Sequence, residues 1–292
     1  MKKLAILILA LIPSLSFAQG ILGGDVRFTE KYGPFHDTYT QTNDIKNRKA
    51  VEYKFVREAD VIFKRITWQI IDLREKKNLP LYYPIDTLHG RKSFIFALLD
   101  GIQNNQYNAF KVPIKNNSFE FDQANLFSSY QEITDIGART ETIPIEIMPG
   151  VTRDSVISIR WRPEEIKQIL VKEVWYVDKR NSKLECEIIG VCPIREYTVN
   201  GQLRRQRLFW VYYPDARQYL STVPVFNMRN DKENYSFDDV FVFRYFSSYF
   251  LQEQNVYNDR MITDYVNGRE AQLESDRIKA EIFNFEQDLW EY

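Results

Sequence analysis

The hydrophobic period of this chain changes twice along its length, and this limits the available folds more than any other feature. Residues 142–147, 156–161, 174–177, 184–191 and 208–213 alternate or run apolar over strand lengths, with Asn181-Ser182 and Asn200-Gly201 as turn signals between them. On either side, apolar residues recur at helical spacing. Ile62, Ile66, Ile70 and Leu73 predict a first long helix from about Asp60, with Lys76-Lys77 complementing its C-terminal dipole, Asn78 beyond its end and Pro80 stopping it. Residues 93–102 predict a second, buried helix closed by Gly101. Pro163-Glu164-Glu165 opens a short helix, and Ser236-Phe237-Asp238-Asp239 resembles a capping box ahead of residues 240–251, an aromatic-rich run that also fits a strand. A last helix from about Arg269 carries Ile278, Ile282, Phe285 and Leu289 on one stripe, with Phe283 and Trp290 beside it. The reading is an α+β fold: helical N- and C-terminal parts flank a small antiparallel β-sheet.

This domain is expected over residues 55–292, helical in 55–140, mainly β in 141–225 and helical in 226–292. Ahead of it, residues 19–54 carry Gly23-Gly24 and Gly33-Pro34 and a polar run without a period, which reads as an extended or disordered arm. Residues 1–18 read as a cleavable signal peptide. Lys2 and Lys3 precede an apolar run from Leu4 to Leu15, and Ser16 and Ala18 stand at the −3 and −1 positions of a cleavage site. The run is shorter than the roughly 20 residues a membrane-spanning helix needs, and no cysteine follows at Gln19 to carry a lipid. The mature protein is therefore expected to be exported, without direct membrane insertion. Asp60-Val61 with Arg65, and Gly90-Arg91, also align with Asp239-Val240 with Arg244, and Gly268-Arg269, which suggests an internal duplication.

Composition excludes more than it identifies. Removing the two signal-peptide lysines from 39 basic residues leaves 37 against 40 acidic ones, a net charge of about −3. The densest basic cluster, Arg204-Arg205 with Arg207, follows a turn signal and reads as a solvated hairpin end, so no nucleic-acid partner is expected. The 18 Tyr and 20 Phe lean towards a protein that binds other proteins. Cys186 and Cys192, if fully extended, have Cα atoms roughly 20 Å apart, whereas a disulfide needs about 4.4–6.8 Å. Unless Gly190 turns the chain, both are free thiols, and alternation with Leu184 and Ile188 marks Cys186 as a buried position.

Catalytic signals are sparse. His36 and His89 stand alone, and the chain has no G-x-S-x-G elbow, phosphate-binding loop or C-x-x-C. Glu164-Glu165 and Asp238-Asp239 are explained by helix starts. No cofactor or metal is expected. Apolar and aromatic residues cluster around charges in residues 68–75 and 282–286, a pattern that fits helices with two buried faces or one face given to another subunit.

Three segments carry a family resemblance: WQIIDLREKKNLPLYYP at residues 68–84, FDDVF at 237–241 and IKAEIFNFEQDLWEY at 278–292. In these the chain resembles the GldN/PorN family, a periplasmic component of the type IX secretion and gliding-motility machinery, over a span from near Phe55 to the C-terminus. Ala59-Asp60 departs from the acidic pair expected at that helix start. The resemblance implies a non-enzymatic structural subunit on the inner side of the outer membrane. Its partners would be a GldK/PorK-like lipoprotein, in a ring, and GldL/GldM-like membrane components. No catalytic residues are carried over. Trp68, Asp72, Arg74, Tyr82, Tyr83, Ile278, Ile282, Phe285, Leu289 and Trp290 are the candidate core or partner-contact residues. The alternative is a periplasmic enzyme or binding module acting on peptidoglycan or another glycan, with dispersed carboxylates as catalysts.

Overall fold

The segment expected to form the first long helix is a central β-strand. In the computed structural model, which describes residues 44–88, 90–113, 121, 123–148, 151–199, 201–227, 235–257 and 259–288, strand β1 runs from Val61 to Asp72. The spacing of four shared by Ile62, Ile66 and Ile70 fits both periods, since four is a multiple of two as well as close to one helical turn. Two facts decide for the strand. The segment is rich in β-branched and aromatic residues, and Thr67 to Ile71 are buried without a break, as happens when both faces of a strand are covered. Asn78 does not end a helix either. Its buried side chain donates to the carbonyls of Asp72 (2.8 Å) and Ser247 (2.9 Å) and accepts from Ser247 N–H, tying the turn after β1 to a distant loop.

The remaining elements follow in chain order. They are α1 (Leu79–Tyr82), α2 (Phe94–Gln103), β2 (Ala109–Phe110), α3 (Tyr130–Thr134), β3 (Arg139–Met148), β4 (Val151–Ile159), β5 (Ile166–Asp178), β6 (Lys183–Val199), β7 (Gln202–Arg207) and β8 (Trp210–Tyr212). After them come α4 (Tyr213–Leu220), β9 (Pro224–Val225), β10 (Tyr235–Ser236), α5 (Phe237–Val242), β11 (Tyr249–Glu253), α6 (Ile262–Tyr265) and α7 (Arg269–Asp288). A seven-stranded sheet has the order β11-β1-β5-β6-β8-β2, with β7 also paired to β6, and every pairing in it is antiparallel. Strands β3 and β4 form a separate hairpin, and β9 and β10 another. The fold is thus mixed α and β with an antiparallel sheet and several helices. The sheet is larger than expected, and residues 55–140 are not a helical flank, because β1 and β2 belong to the sheet.

Alternation along β1 separates the cores. Ile71 faces the main core, where α2, α4 and α5 pack on Ile169, Val171, Val191 and Val211. Trp68 and Ile70 face a second cluster with Leu170, Cys192, Ile194 and Trp210. Against β11, Ile262 of α6 and Ile278 and Ile282 of α7 close over Phe250, with Trp175 and Leu184 alongside.

Helix α2 starts where expected, with Ser93 Oγ accepting from Phe96 N–H, but Gly101 does not close it. The helix continues to Gln103, and Asn105 takes the left-handed conformation (φ +54°). Gly101 is needed for space, since a Cβ there would lie 2.4 Å from the Tyr107 ring, whose hydroxyl donates to Leu98 O. Pro163-Glu164-Glu165 opens only a three-residue 3₁₀ turn instead of a helix, because β5 begins at Ile166. Residues 240–251 are not one helix: α5 stops at Val242, Arg244 turns left-handed (φ +53°), and Tyr249 begins β11. Of the two pairs aligned in the duplication, the first differs in structure, since Val61 lies in a strand and Val240 in a helix, whereas Gly90 and Gly268 are both left-handed (φ +77° and +64°).

Cys186 and Cys192 are free, and Gly190 stays within β6 instead of turning the chain. Burial pushes the Cys192 thiol up to about 12 and raises that of Cys186, where Glu173 adds to the effect. The signal peptide, the arm up to residue 43, His36, His89, Asn200, Leu289 and Trp290 lie outside the described residues. Among the described residues no helix is long and apolar enough to cross a membrane.

The capping box is formed: Ser236 Oγ accepts from Asp239 N–H (3.2 Å), and Asp239 Oδ2 accepts from Ser236 N–H (2.9 Å). Replacing Ser236 by Ala removes one half of it, at about 0.5–2 kcal/mol. For a protein of this size the melting temperature should fall by roughly 2–4 °C per kcal/mol. Ser236→Asn, which keeps a cap acceptor, should recover most of that loss in a thermal melt.

Candidate interaction surface

The resemblance segment at residues 68–84 leads from the middle of the sheet to an exposed apolar groove. Asp72 and Arg74 fix its first turn. Arg74 Nε donates to Asp72 Oδ1 (2.9 Å) and Nη2 to Oδ2 (2.5 Å), while Nη1 reaches Glu196 (3.2 Å) on β6. Partial burial pushes the Asp72 carboxyl up, but the hydrogen bonds from Arg74 and Gln168 outweigh it and hold the group below the usual carboxylate range. Glu196 also accepts from Arg205 (2.8 Å), so the basic cluster on β7 is partly used within the sheet.

Pro80, in the first turn of α1, sits where its missing N–H is not needed. Leu81 of α1 is buried in the main core. Tyr82 packs against that core and donates to Glu164 O (3.1 Å), with the Lys167 ammonium 4.4 Å from its ring centroid. These contacts orient Leu79, Pro80, Tyr83 and Pro84 outward. Together with Leu88, Arg91 and Phe226 they line a cavity of about 390 Å³. Tyr83, Leu88 and Phe226 remain 50, 59 and 42% exposed. Leu88 and Arg91 bridge each other through backbone hydrogen bonds (3.1 and 2.9 Å), and Gly90 between them is left-handed (φ +77°), a conformation that suits glycine. The Arg91 guanidinium lies 5.1 Å from the Phe226 ring centroid.

The candidate residues therefore divide among three places. Arg74, Tyr82 and Tyr83 share the lining of one surface cavity beside the groove, with Asp72 bonded to Arg74. Trp68 is buried in the second core, with Lys172 over its ring. Ile278 and Ile282 are buried in the third core, and Phe285 stacks on Phe63 with ring centroids 4.3 Å apart. Leu88, Arg91 and Phe226 were not among the candidates. The only local sign of them is a large apolar residue beside turn residues, as in Leu88 and Phe226.

Chemistry in the other concavities is limited. A cavity of about 430 Å³ beside α2 is lined by a single carboxylate, Asp100, with Lys92, Tyr130 and Trp161 among its other walls. Hydrogen bonds from Lys92 and then Tyr219 hold Asp100 below the usual carboxylate range, which is the wrong direction for a general acid. Burial raises Glu187 and Glu253, but neither lines this cavity or the groove. Among the described residues no group of three or more His, Cys, Asp or Glu could hold a metal ion.

Residues 56–291 match the family described as gliding motility associated protein GldN. The chain belongs to the GldN family. The match covers most of the chain and every element from β1 to α7, so the groove lies wholly within the GldN region. Among curated proteins none matches.

Proposed function

We propose that this GldN-family chain is a non-enzymatic structural subunit of a periplasmic ring complex of the type IX secretion system, needed for protein secretion and gliding motility. In this reading it is exported by its signal peptide and held at the inner side of the outer membrane through partners. It binds a GldK/PorK-like lipoprotein, and the ring connects to GldL/GldM-like membrane components. Membership of a gliding-motility family that is not known for an enzyme activity supports this. The observation that carries the binding role is the groove at Tyr83, Leu88 and Phe226: it is apolar, concave and left partly exposed. Exposed apolar concavities of this kind mark interaction sites, and ring contacts need two different patches that complement each other.

Co-purification from envelope extracts tests the reading. The wild-type protein should bring down the lipoprotein, and a Tyr83→Asp/Phe226→Asp variant should recover at least tenfold less of it. The variant's melting temperature should fall by only a few degrees, because both side chains are about half exposed. A wild-type protein found only as a free monomer, with secretion and gliding intact after its deletion, would falsify the proposal.

A further inference from the structure

A second concavity, independent of the groove, lies between α7 and the loop that leads into β11. It encloses about 370 Å³ and combines aromatic walls with an incompletely satisfied cation. Arg244 forms its floor. The guanidinium donates from Nη1 to Glu173 (2.8 Å), a fully buried carboxylate, and to Cys186 Sγ (3.3 Å), and is stacked 5.1 Å from the Trp175 ring centroid and 5.2 Å from that of Phe246. Its Nη2 makes only a long 3.4 Å contact to Gln69 Oε1, which already accepts from Ser248 Oγ at 2.5 Å. A guanidinium carries five N–H donors in a fixed fork. Arg244 makes its protein contacts from Nη1 and Nη2, none from Nε among the described residues, and a third of its side chain stays accessible.

The backbone gives a second sign. Arg244 occupies the left-handed position just past the end of α5 (φ +53°), where glycine is the usual residue. Holding an arginine there strains the backbone, and observed strain of this kind clusters at ligand sites. Pairing with Glu173 accounts for part of the guanidinium. It does not account for the rim, where Lys77 and Lys279 face the same space and have no hydrogen-bond or ion-pair partner among the described residues. Against them the lining offers one further carboxylate, Glu286. With Arg244 neutralised by Glu173, the two lysines and Glu286 leave the cavity with one net positive charge.

We propose that this cavity binds a carboxylate carried on an aromatic body. The carboxylate would take the free Arg244 donors and the field of the rim lysines, and the ring would lie among Trp175, Phe246 and Phe283. Cationic donors at one end of an apolar chamber are the arrangement expected of an oriented small-ligand site. A free aromatic acid and the C-terminal residue of a polypeptide present the same chemistry.

Calorimetric titration of the full mature chain with N-acetyl-phenylalanine, and with its C-terminal amide, tests this. The acid should bind saturably and the amide at least tenfold more weakly. Lys77→Gln/Lys279→Gln, confined to exposed side chains, should weaken the acid severalfold without moving the melting temperature, and Glu286→Gln should strengthen it. Gly-Gly-Phe with a free carboxylate distinguishes the sources. Binding at least as tight as the acid assigns the site to polypeptide C-termini, and tighter binding of the free acid assigns it to small acids; either supports the proposal. Equal binding of acid and amide, no saturable binding, or indifference to both rim variants overturns it.

Discussion

Asp238→Ala should destabilise the isolated protein by about 3–5 kcal/mol, the range for removing one partner of a buried ion pair. Asp238 lies in the first turn of α5 and faces Arg217 of α4. Nε donates to Oδ1 (2.9 Å) and Nη2 to Oδ2 (3.2 Å), and Tyr213 O–H adds a third bond to Oδ1 (3.1 Å). The two charged side chains are only 6 and 8% exposed, so water cannot replace what the mutation removes. Among the described residues the guanidinium would keep the Tyr53 ring, 4.3 Å from it, and the weaker field of Glu187, but no hydrogen-bond acceptor, and the Tyr213 hydroxyl would lose its acceptor. A loss of this size is a large part of the 5–15 kcal/mol that holds a typical domain. Replacing both partners, as in Arg217→Met/Asp238→Leu, should cost less than the single change, because no charge is then left unpaired. Chemical denaturation of the three variants measures this. A loss under about 1 kcal/mol for Asp238→Ala would show that the pair is solvated and that α4 and α5 do not pack as described.

The elements readable in the sequence are those whose period admits a single interpretation. Helix α7 begins at Arg269 as expected: it has no internal Gly or Pro, and Ile278 and Ile282 fall on one turn. Helix α2 is marked by its Ser93 cap, and the strands of the 142–213 region by alternation between turn signals. The period does not identify strand β1, because Ile62, Ile66 and Ile70 satisfy two periods at once. A polar residue at Gln69, buried at the centre of the sheet, further breaks the alternation that would have settled it. What makes Gln69 tolerable inside is tertiary. It donates to Glu173 (2.6 Å), itself paired with Arg244. These partners are separated by about a hundred and by seventy-one positions, so no local pattern contains them. The groove was half legible for the same reason. Leu79 to Pro84 stand together in the chain, whereas Phe226 reaches them only through the folding of β9.

Ile278→Ala should cost the isolated protein about 2–5 kcal/mol, the range for truncating a large aliphatic side chain in a core. The stripe on α7 could have been covered by its own chain or by another subunit, and the sequence fits either. The structure covers its first half from within: Ile278 is fully buried and Ile282 nearly so, against Phe250 and Ile262 with Trp175 and Leu184 beside them. Polar contacts fix the same face, since Phe250 N–H donates to Ser275 Oγ (2.8 Å) and Arg65 to Glu281 (3.0 Å). A cavity at Ile278 therefore cannot be closed by a simple shift of the helix. Phe285, one turn further on, is only partly buried, and its main partner is the Phe63 ring. Phe285→Ala should cost less, about 1–2 kcal/mol from partial burial and lost stacking. Both losses should appear in the melting of the purified protein without any partner present. If Ile278→Ala melted like the wild type while complex formation failed, the third core would be open in the free subunit and the cover would belong to the partner.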